Sequence, residues 1–184
     1  MKVYLIRHGQ TEANEKRLYC GRTDLPLSEN GAKALTRFRY DLPDVRYLTS
    51  GMKRTNETLK ILFGEVPYEE DRRFREVDFG VFEMRGYEQL KDSEEYITWI
   101  SGDNEGNVPP GGESGRQMKQ RVLEAFSEIQ EDTVLICHGG VIAAIMEHLF
   151  PEENKSRYAW QPNNGCGYVI DSGTYSGLQP KKEE

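Results

Sequence analysis

Val3-Tyr4-Leu5-Ile6-Arg7-His8-Gly9-Gln10-Thr11-Glu12-Ala13-Asn14 is the stretch on which the reading of this chain turns. Val3 to Ile6 make a short apolar, partly β-branched run, the pattern of a buried strand. The residues after it are polar, cationic and hinged on a glycine. Arg7 carries a planar fork of donors suited to phosphate or carboxylate, His8 offers a nucleophile or general base, and Gly9 lets backbone approach a ligand. Taken alone, an Arg-His pair after a strand suits a plain strand terminus as well as an anion site. The decision lies in the rest of the chain.

The same pattern returns far along the sequence. Thr133 to Cys137 is apolar enough for a central strand of a parallel sheet, and it ends in His138-Gly139-Gly140 before a helix expected over residues 141–150. Open parallel α/β sheets place ligands in the crevice beyond the carboxyl ends of their strands, so His8 and His138 can face each other there. Between them, residues 46–50 read as another strand, followed by a helix over residues 53–63 that carries Lys53 and Arg54 in its first turn. Cations at that end oppose the helix dipole, which points to a bound anion or, equally, to solvated surface charge. Glu76 sits in a loop with Arg72, Arg73 and Arg75, and its local sequence suggests an ion-pair partner. His148 falls inside a helix and is assigned to packing or capping, outside the site. Asn163 and Asn164 either reach the pocket or only make turns, and the turn reading is preferred.

The remaining elements alternate in the same way. A helix is expected over residues 29–40, capped by Ser28 and broken at Pro43 and Asp44; residues 66–69 read as a short strand, and residues 87–100 as helical or mixed. Residues 102–112, rich in Gly, Asn and Pro, form a loop long enough to be a lid or rim. A helix over residues 115–130 buries Met118, Val122, Leu123, Ala125, Phe126 and Ile129. Strands over residues 167–171 and 175–178 close the pattern, and residues 181–184 are a polar tail. The class is α/β.

Composition narrows the function. With 184 residues, one well-filled domain spanning 1–184 is expected. A formal charge of −7 opposes a broad nucleic-acid footprint and leaves an anionic substrate dependent on locally clustered cations. No apolar run is long enough to span a bilayer, and Met1-Lys2 leads straight into a strand, so a cytoplasmic protein without membrane contact is expected. Cys20, Cys137 and Cys166 form no Cys-x-x-Cys pair, which supports neither a disulfide framework nor a zinc site. His8, His138 and His148 are the only histidines, so no metal is assigned.

Together these features resemble the histidine phosphatase superfamily, in its phosphoglycerate mutase-like branch, from Val3 to about Cys166. Arg7-His8-Gly9-Gln10-Thr11 with Asn14 resembles the defining motif, and Gly21-Arg22-Thr23-Asp24-Leu25-Pro26-Leu27-Ser28-Glu29-Asn30-Gly31 the segment after it. The stretch from Ser50 to Thr58 resembles the second arginine motif, and Arg75-Glu76-Val77-Asp78-Phe79-Gly80 with Glu83 the acidic loop. Pro110-Gly111-Gly112-Glu113-Ser114 and Cys137-His138-Gly139-Gly140 complete the series. Several ordered motifs are far more specific than any one of them.

The resemblance implies a three-layer α/β/α sandwich around a mostly parallel sheet. It also implies a phosphohistidine on His8, with Glu76 as proton donor, His138, Arg7 and Arg54 as catalytic partners, and phosphate or substrate held by Arg7, Asn14, Arg54, His138, Gly139, Gly21 and Arg22. No cofactor is implied. The expected partner is a small phosphorylated metabolite, and self-association as a homodimer is compatible. The chain's length is closer to the family's compact phosphatases than to its longer mutases, so hydrolysis is preferred over phosphoryl transfer between substrate hydroxyls. A catalytically idle binder of phosphorylated ligands or proteins is the alternative of another class. The rim is assigned to Arg22, Glu83, Tyr87, Trp99 and the 102–112 loop.

Overall fold

The computed structural model describes residues 1–43, 45–103 and 105–182. The predicted break at Asp44, Asn104 of the glycine-rich loop, and Glu183 and Glu184 of the tail lie outside the described residues. The chain runs through β1 (Lys2–Arg7), α1 (Glu12–Glu15), α2 (Glu29–Leu35), β2 (Phe38–Arg39), β3 (Arg46–Thr49), α3 (Lys53–Phe63) and β4 (Glu69–Glu70). Two short helices, α4 (Tyr87–Leu90) and α5 (Glu94–Ile100), lead to α6 (Gly115–Ser127), β5 (Thr133–Cys137) and α7 (Gly139–Leu149). The chain closes with α8 (Arg157–Trp160), β6 (Gly167–Asp171), β7 (Thr174–Leu178) and β8 (Lys181–Lys182).

Among the described residues, the main sheet has the order β4-β3-β5-β1-β6-β7. Strands β4, β3, β5 and β1 are parallel, and β6 and β7 add an antiparallel edge. The central strands are buried on both faces, as their uninterrupted apolar runs demand. Alternation along each strand divides the core in two. Leu5, Leu135 and Cys137 pack with Met118 and Val122 of α6 and with α7, while Ile6, Val134 and Ile136 face Leu59 of α3. Helices therefore cover both faces, the expected three layers. Gly139 to Met146 of α7 are all buried, consistent with a helix that is apolar around its whole circumference.

The structure shortens several predicted elements, for local reasons. Helix α2 ends at Leu35, although apolar spacing continues through Phe38. Phe38 instead packs against Gly165, where an added Cβ would lie 2.6 Å from its ring, and it pairs in β2 with β8. The tail at Lys181 and Lys182 is thus half of a two-stranded ribbon. Pairing at β4 starts only at Glu69, beyond Pro67, because proline brings no N–H to a ladder. The 87–100 region divides at Ser93, which caps α5 by accepting from the Tyr96 amide at 3.4 Å. Helix α6 stops at Ser127, with Ile129 still buried. Ser172 and Gly173, both at positive φ, make the tight turn that lets β7 begin one residue early, at Thr174.

Candidate active site

The sheet register brings the two histidines together. Arg7 of β1 lies opposite Cys137 of β5 in a parallel pair, so the next residues, His8 and His138, leave neighbouring strands side by side. Their ring centroids are 5.1 Å apart, close to the spacing of adjacent strands. Thr49 of β3 lies opposite Ile136, and Ser50 beyond it places its Oγ 2.9 Å from His138 Nε2.

His8 is buried and held from several sides. Its Nδ1 lies 2.6 Å from the Gly9 carbonyl oxygen. A carbonyl only accepts, so this bond puts the proton on Nδ1 and leaves the lone pair on Nε2. The His8 amide donates to the Cys137 carbonyl at 3.0 Å, and Asn164 Nδ2 donates to the His8 carbonyl at 2.9 Å. Burial, then the Arg54 charge, push the imidazole pKa well below its ordinary value, with a smaller contribution from Arg7, against the opposing effect of the Gly9 bond. His138 is lowered in the same way by burial, Arg54 and His8. Both rings are neutral at pH 7.

The cations divide between surface and floor. Arg7 donates from Nη1 to the Pro162 carbonyl at 2.9 Å, and its buried Nε has no hydrogen-bond partner. Arg54 is 1% exposed and lies deeper. Its Nη1 and Nη2 donate to the carbonyls of Thr23 and Gly21, each at 2.9 Å, and its Nε makes a long 3.4 Å contact with His138 Nδ1. Lys53, the other cation of that helical turn, is exposed.

Glu76 stands on the opposite side. Its Oε1 accepts from the Val77 amide and its Oε2 from the Gly140 amide of α7, both at 2.9 Å. Arg121 of α6 holds its loop by donating to the carbonyls of Arg73, Arg75 and Glu76 at 2.7, 2.7 and 3.1 Å. The neighbouring arginines are occupied elsewhere: Arg73 pairs with Asp71 and Glu128, Arg75 Nε donates to the Ser50 carbonyl at 3.3 Å, and Arg72 is exposed.

A cavity of about 290 Å³ opens over this floor, lined by Arg7, His8, Asn14, Glu76 and Gly139 and walled by Tyr19, Phe79, Trp99, Arg157, Tyr158 and Gln161. Thr11 caps α1, and Asn14 completes the capping box through Oδ1, which accepts from Thr11; this leaves Nδ2 as its donor end. Gly21 and Arg22 stand back from the cavity. The Gly21 amide donates to Glu83 and its carbonyl accepts from Arg54. Arg22 is exposed and donates to the Gly111 carbonyl at 3.2 Å.

Glu83, read as a rim residue, is a buried-side brace. Its carboxylate accepts from the amides of Gly21, Arg22, Thr23 and Phe79 and from the Thr23 hydroxyl at 2.6 Å. It thereby fixes the turn whose carbonyls hold Arg54. Tyr87 is 58% exposed and lines no part of the cavity, whereas Trp99 does. Sequence reasoning passed over Ser50, Arg121 and Arg157, and placed Asn164 in a turn. Ser50 alone carried a positional signal, since it begins the segment that contains Arg54.

Comparison with known proteins agrees with this geometry. The chain is 32% identical over 184 residues to the adenosylcobalamin/α-ribazole phosphatase of Salmonella typhimurium, covering 93% of this chain and 90% of that protein. A crystal structure of a candidate α-ribazole-5′-P phosphatase from Escherichia coli superposes with a TM-score of 0.83 at 25% identity, over 98% of this chain and 96% of that one. The phosphoglycerate mutase structure from Thermus thermophilus gives 0.77 at 26% identity over the whole of both chains. The sequence profile of the histidine phosphatase superfamily, branch 1, matches residues 3–177. With parallel strands setting two histidines side by side, His8 of the pair lining the cavity, and a profile match along nearly its whole length, the chain belongs to the histidine phosphatase superfamily.

Proposed function

We propose that this protein is a phosphomonoesterase that hydrolyses a small phosphorylated metabolite through a phosphohistidine on His8. The observation that carries this reading is the short Nδ1 contact with the Gly9 carbonyl, which leaves a neutral imidazole with its Nε2 lone pair available. Nε2 attacks phosphorus as the bond to the leaving oxygen breaks, and Glu76 gives its proton to that oxygen. Water then attacks the phosphohistidine, Glu76 takes up the released proton, and inorganic phosphate departs.

Phosphoryl transfer is mainly a matter of alignment and charge neutralisation. The phosphate oxygens are gathered by Arg7, whose Nε lacks a partner, by the amide of Asn14, and by Gly139 at the positive end of α7. Arg54 and His138 act from beneath, as buried charge and dipole rather than as an open fork, because the Arg54 guanidinium is held by Gly21 and Thr23. These groups carry the oxygen charge without a metal. We place the reaction in the cytoplasm, a compartment that suits the reduced thiols of Cys20 and Cys137.

His8→Ala is expected to abolish p-nitrophenyl phosphate hydrolysis with an unchanged circular dichroism spectrum, and EDTA is expected to leave wild-type turnover intact. Full turnover by the variant would overturn the mechanism. A panel of phosphorylated metabolites, assayed for free phosphate and separately for isomerised product, distinguishes this hydrolase from a mutase and from an idle binder.

A further inference from the structure

Among the described residues, two buried side-chain nitrogens have no hydrogen-bond partner, Arg7 Nε and Arg157 Nε. Both arginines line the same cavity. A buried donor left unpaired is costly, so a native site that keeps one usually receives its acceptor from outside the chain. In the phosphomonoesterase reading the phosphate satisfies Arg7. Arg157 enters from α8 on the far wall, beside Tyr158 and Trp99, where the alcohol portion of the substrate would lie.

The charge of Arg157 is already compensated. Its Nη1 lies 2.7 Å from Glu105 Oε1, an acid contributed by the glycine-rich loop. Behind the pair, a neighbouring depression shared by Arg157, Tyr158 and Trp99 also contains Glu147, which lies 3.5 Å from Lys119. A second anion placed against Arg157 would therefore meet the Glu105 carboxylate, whereas a carbonyl or hydroxyl oxygen would meet an unpaired N–H.

We infer that Arg157 is a specificity-determining residue: its Nε donates to an uncharged acceptor on the alcohol portion, and Glu105 cancels its charge so that alcohols bearing a second phosphate are rejected. This inference rests on the phosphomonoesterase reading.

Three substrates test it: phenyl phosphate, which offers no distal acceptor; uridine 5′-monophosphate, which offers uncharged ones; and fructose 1,6-bisphosphate, which carries a second anion. In Arg157→Met the kcat/KM ratio of the nucleotide to phenyl phosphate is expected to fall about tenfold, mainly through KM, as the loss of one charge-assisted hydrogen bond requires. In Glu105→Gln the ratio of bisphosphate to nucleotide is expected to rise about fivefold or more, since one charge is uncovered. Unchanged ratios in both variants, or a wild-type preference for the bisphosphate, would overturn the assignment. If wild-type protein hydrolyses none of the three, the phosphatase reading fails, and calorimetry then decides on Arg157 alone: weaker nucleotide binding by Arg157→Met upholds its role, and equal binding removes it.

Discussion

At the scale of single residues, His8 and His138 link the candidate site to stability. Both are buried and uncharged in the folded chain, with pKa values well below the ordinary imidazole value. Above about pH 6.5 neither the folded nor the unfolded state protonates them, and they contribute no pH dependence. As pH falls through that value the unfolded chain binds protons that the folded chain refuses, so stability is lost on the acid side. Each histidine should contribute a slope of up to about 1.4 kcal/mol per pH unit. Urea melts between pH 7.5 and 5.5 are expected to show this loss, with a smaller slope in His138→Gln; a flat profile in wild type would contradict the buried neutral rings. The candidate site residues legible in the local pattern were those beside strand ends, Arg7, His8 and His138; Arg54 and Glu76 were placed by the family resemblance. Glu83, Arg121 and Asn164 were not legible in their roles, because each works by bonding backbone groups of a distant segment. Such partners are set by tertiary packing, and nothing in the local pattern around Arg121 distinguishes it from a surface cation on an amphipathic helix.

At the scale of elements, the first turn of α7 sets the position of the proposed acid. Gly140 donates its amide to Glu76, and a Cβ built on Gly140 would lie 2.4 Å from Glu76 Oε1. The obstructed atom is the end of a flexible side chain, so Gly140→Ala should fold while displacing the carboxylate. Hydrolysis of alkyl phosphates, which need a protonated leaving group, is expected to fall by about 100-fold, and that of activated aryl esters much less. Equal losses on both would separate Glu76 from proton transfer. Elements with strong patterns appeared where expected: α3 over Lys53–Phe63 and β5 over Thr133–Cys137 match their predicted spans. The boundary of α2 did not, since helical spacing through Phe38 was overridden by its contact with Gly165.

At the scale of the whole molecule, the hydrophobic cluster of Phe82, Leu90 and Tyr96 forms its own small core, and Tyr19, Phe79 and Trp99, which wall the cavity, pack against it. It is tied to the main body through Tyr19, whose amide donates to the Arg85 carbonyl and whose carbonyl accepts from Met84, and through Glu83. We read the chain as one cooperative unit. Trp99 reports on this cluster and Trp160 on the main core, so fluorescence melts of Trp99→Phe and Trp160→Phe should each coincide with the circular dichroism transition. An earlier transition confined to the Trp99 signal would mark the cluster as a separate unit.

The position of β1 in the sheet also has a consequence during synthesis. Val3 pairs with Thr133 on one side and with Ile170 on the other, so β1 acquires both neighbours only after the chain has been synthesised through residue 170. Until then its apolar edges have no native partner, and the nascent chain depends on chaperones or on speed to avoid pairing with another copy of itself. His8, the proposed nucleophile, is set in place only once β5 and β6 have paired with β1.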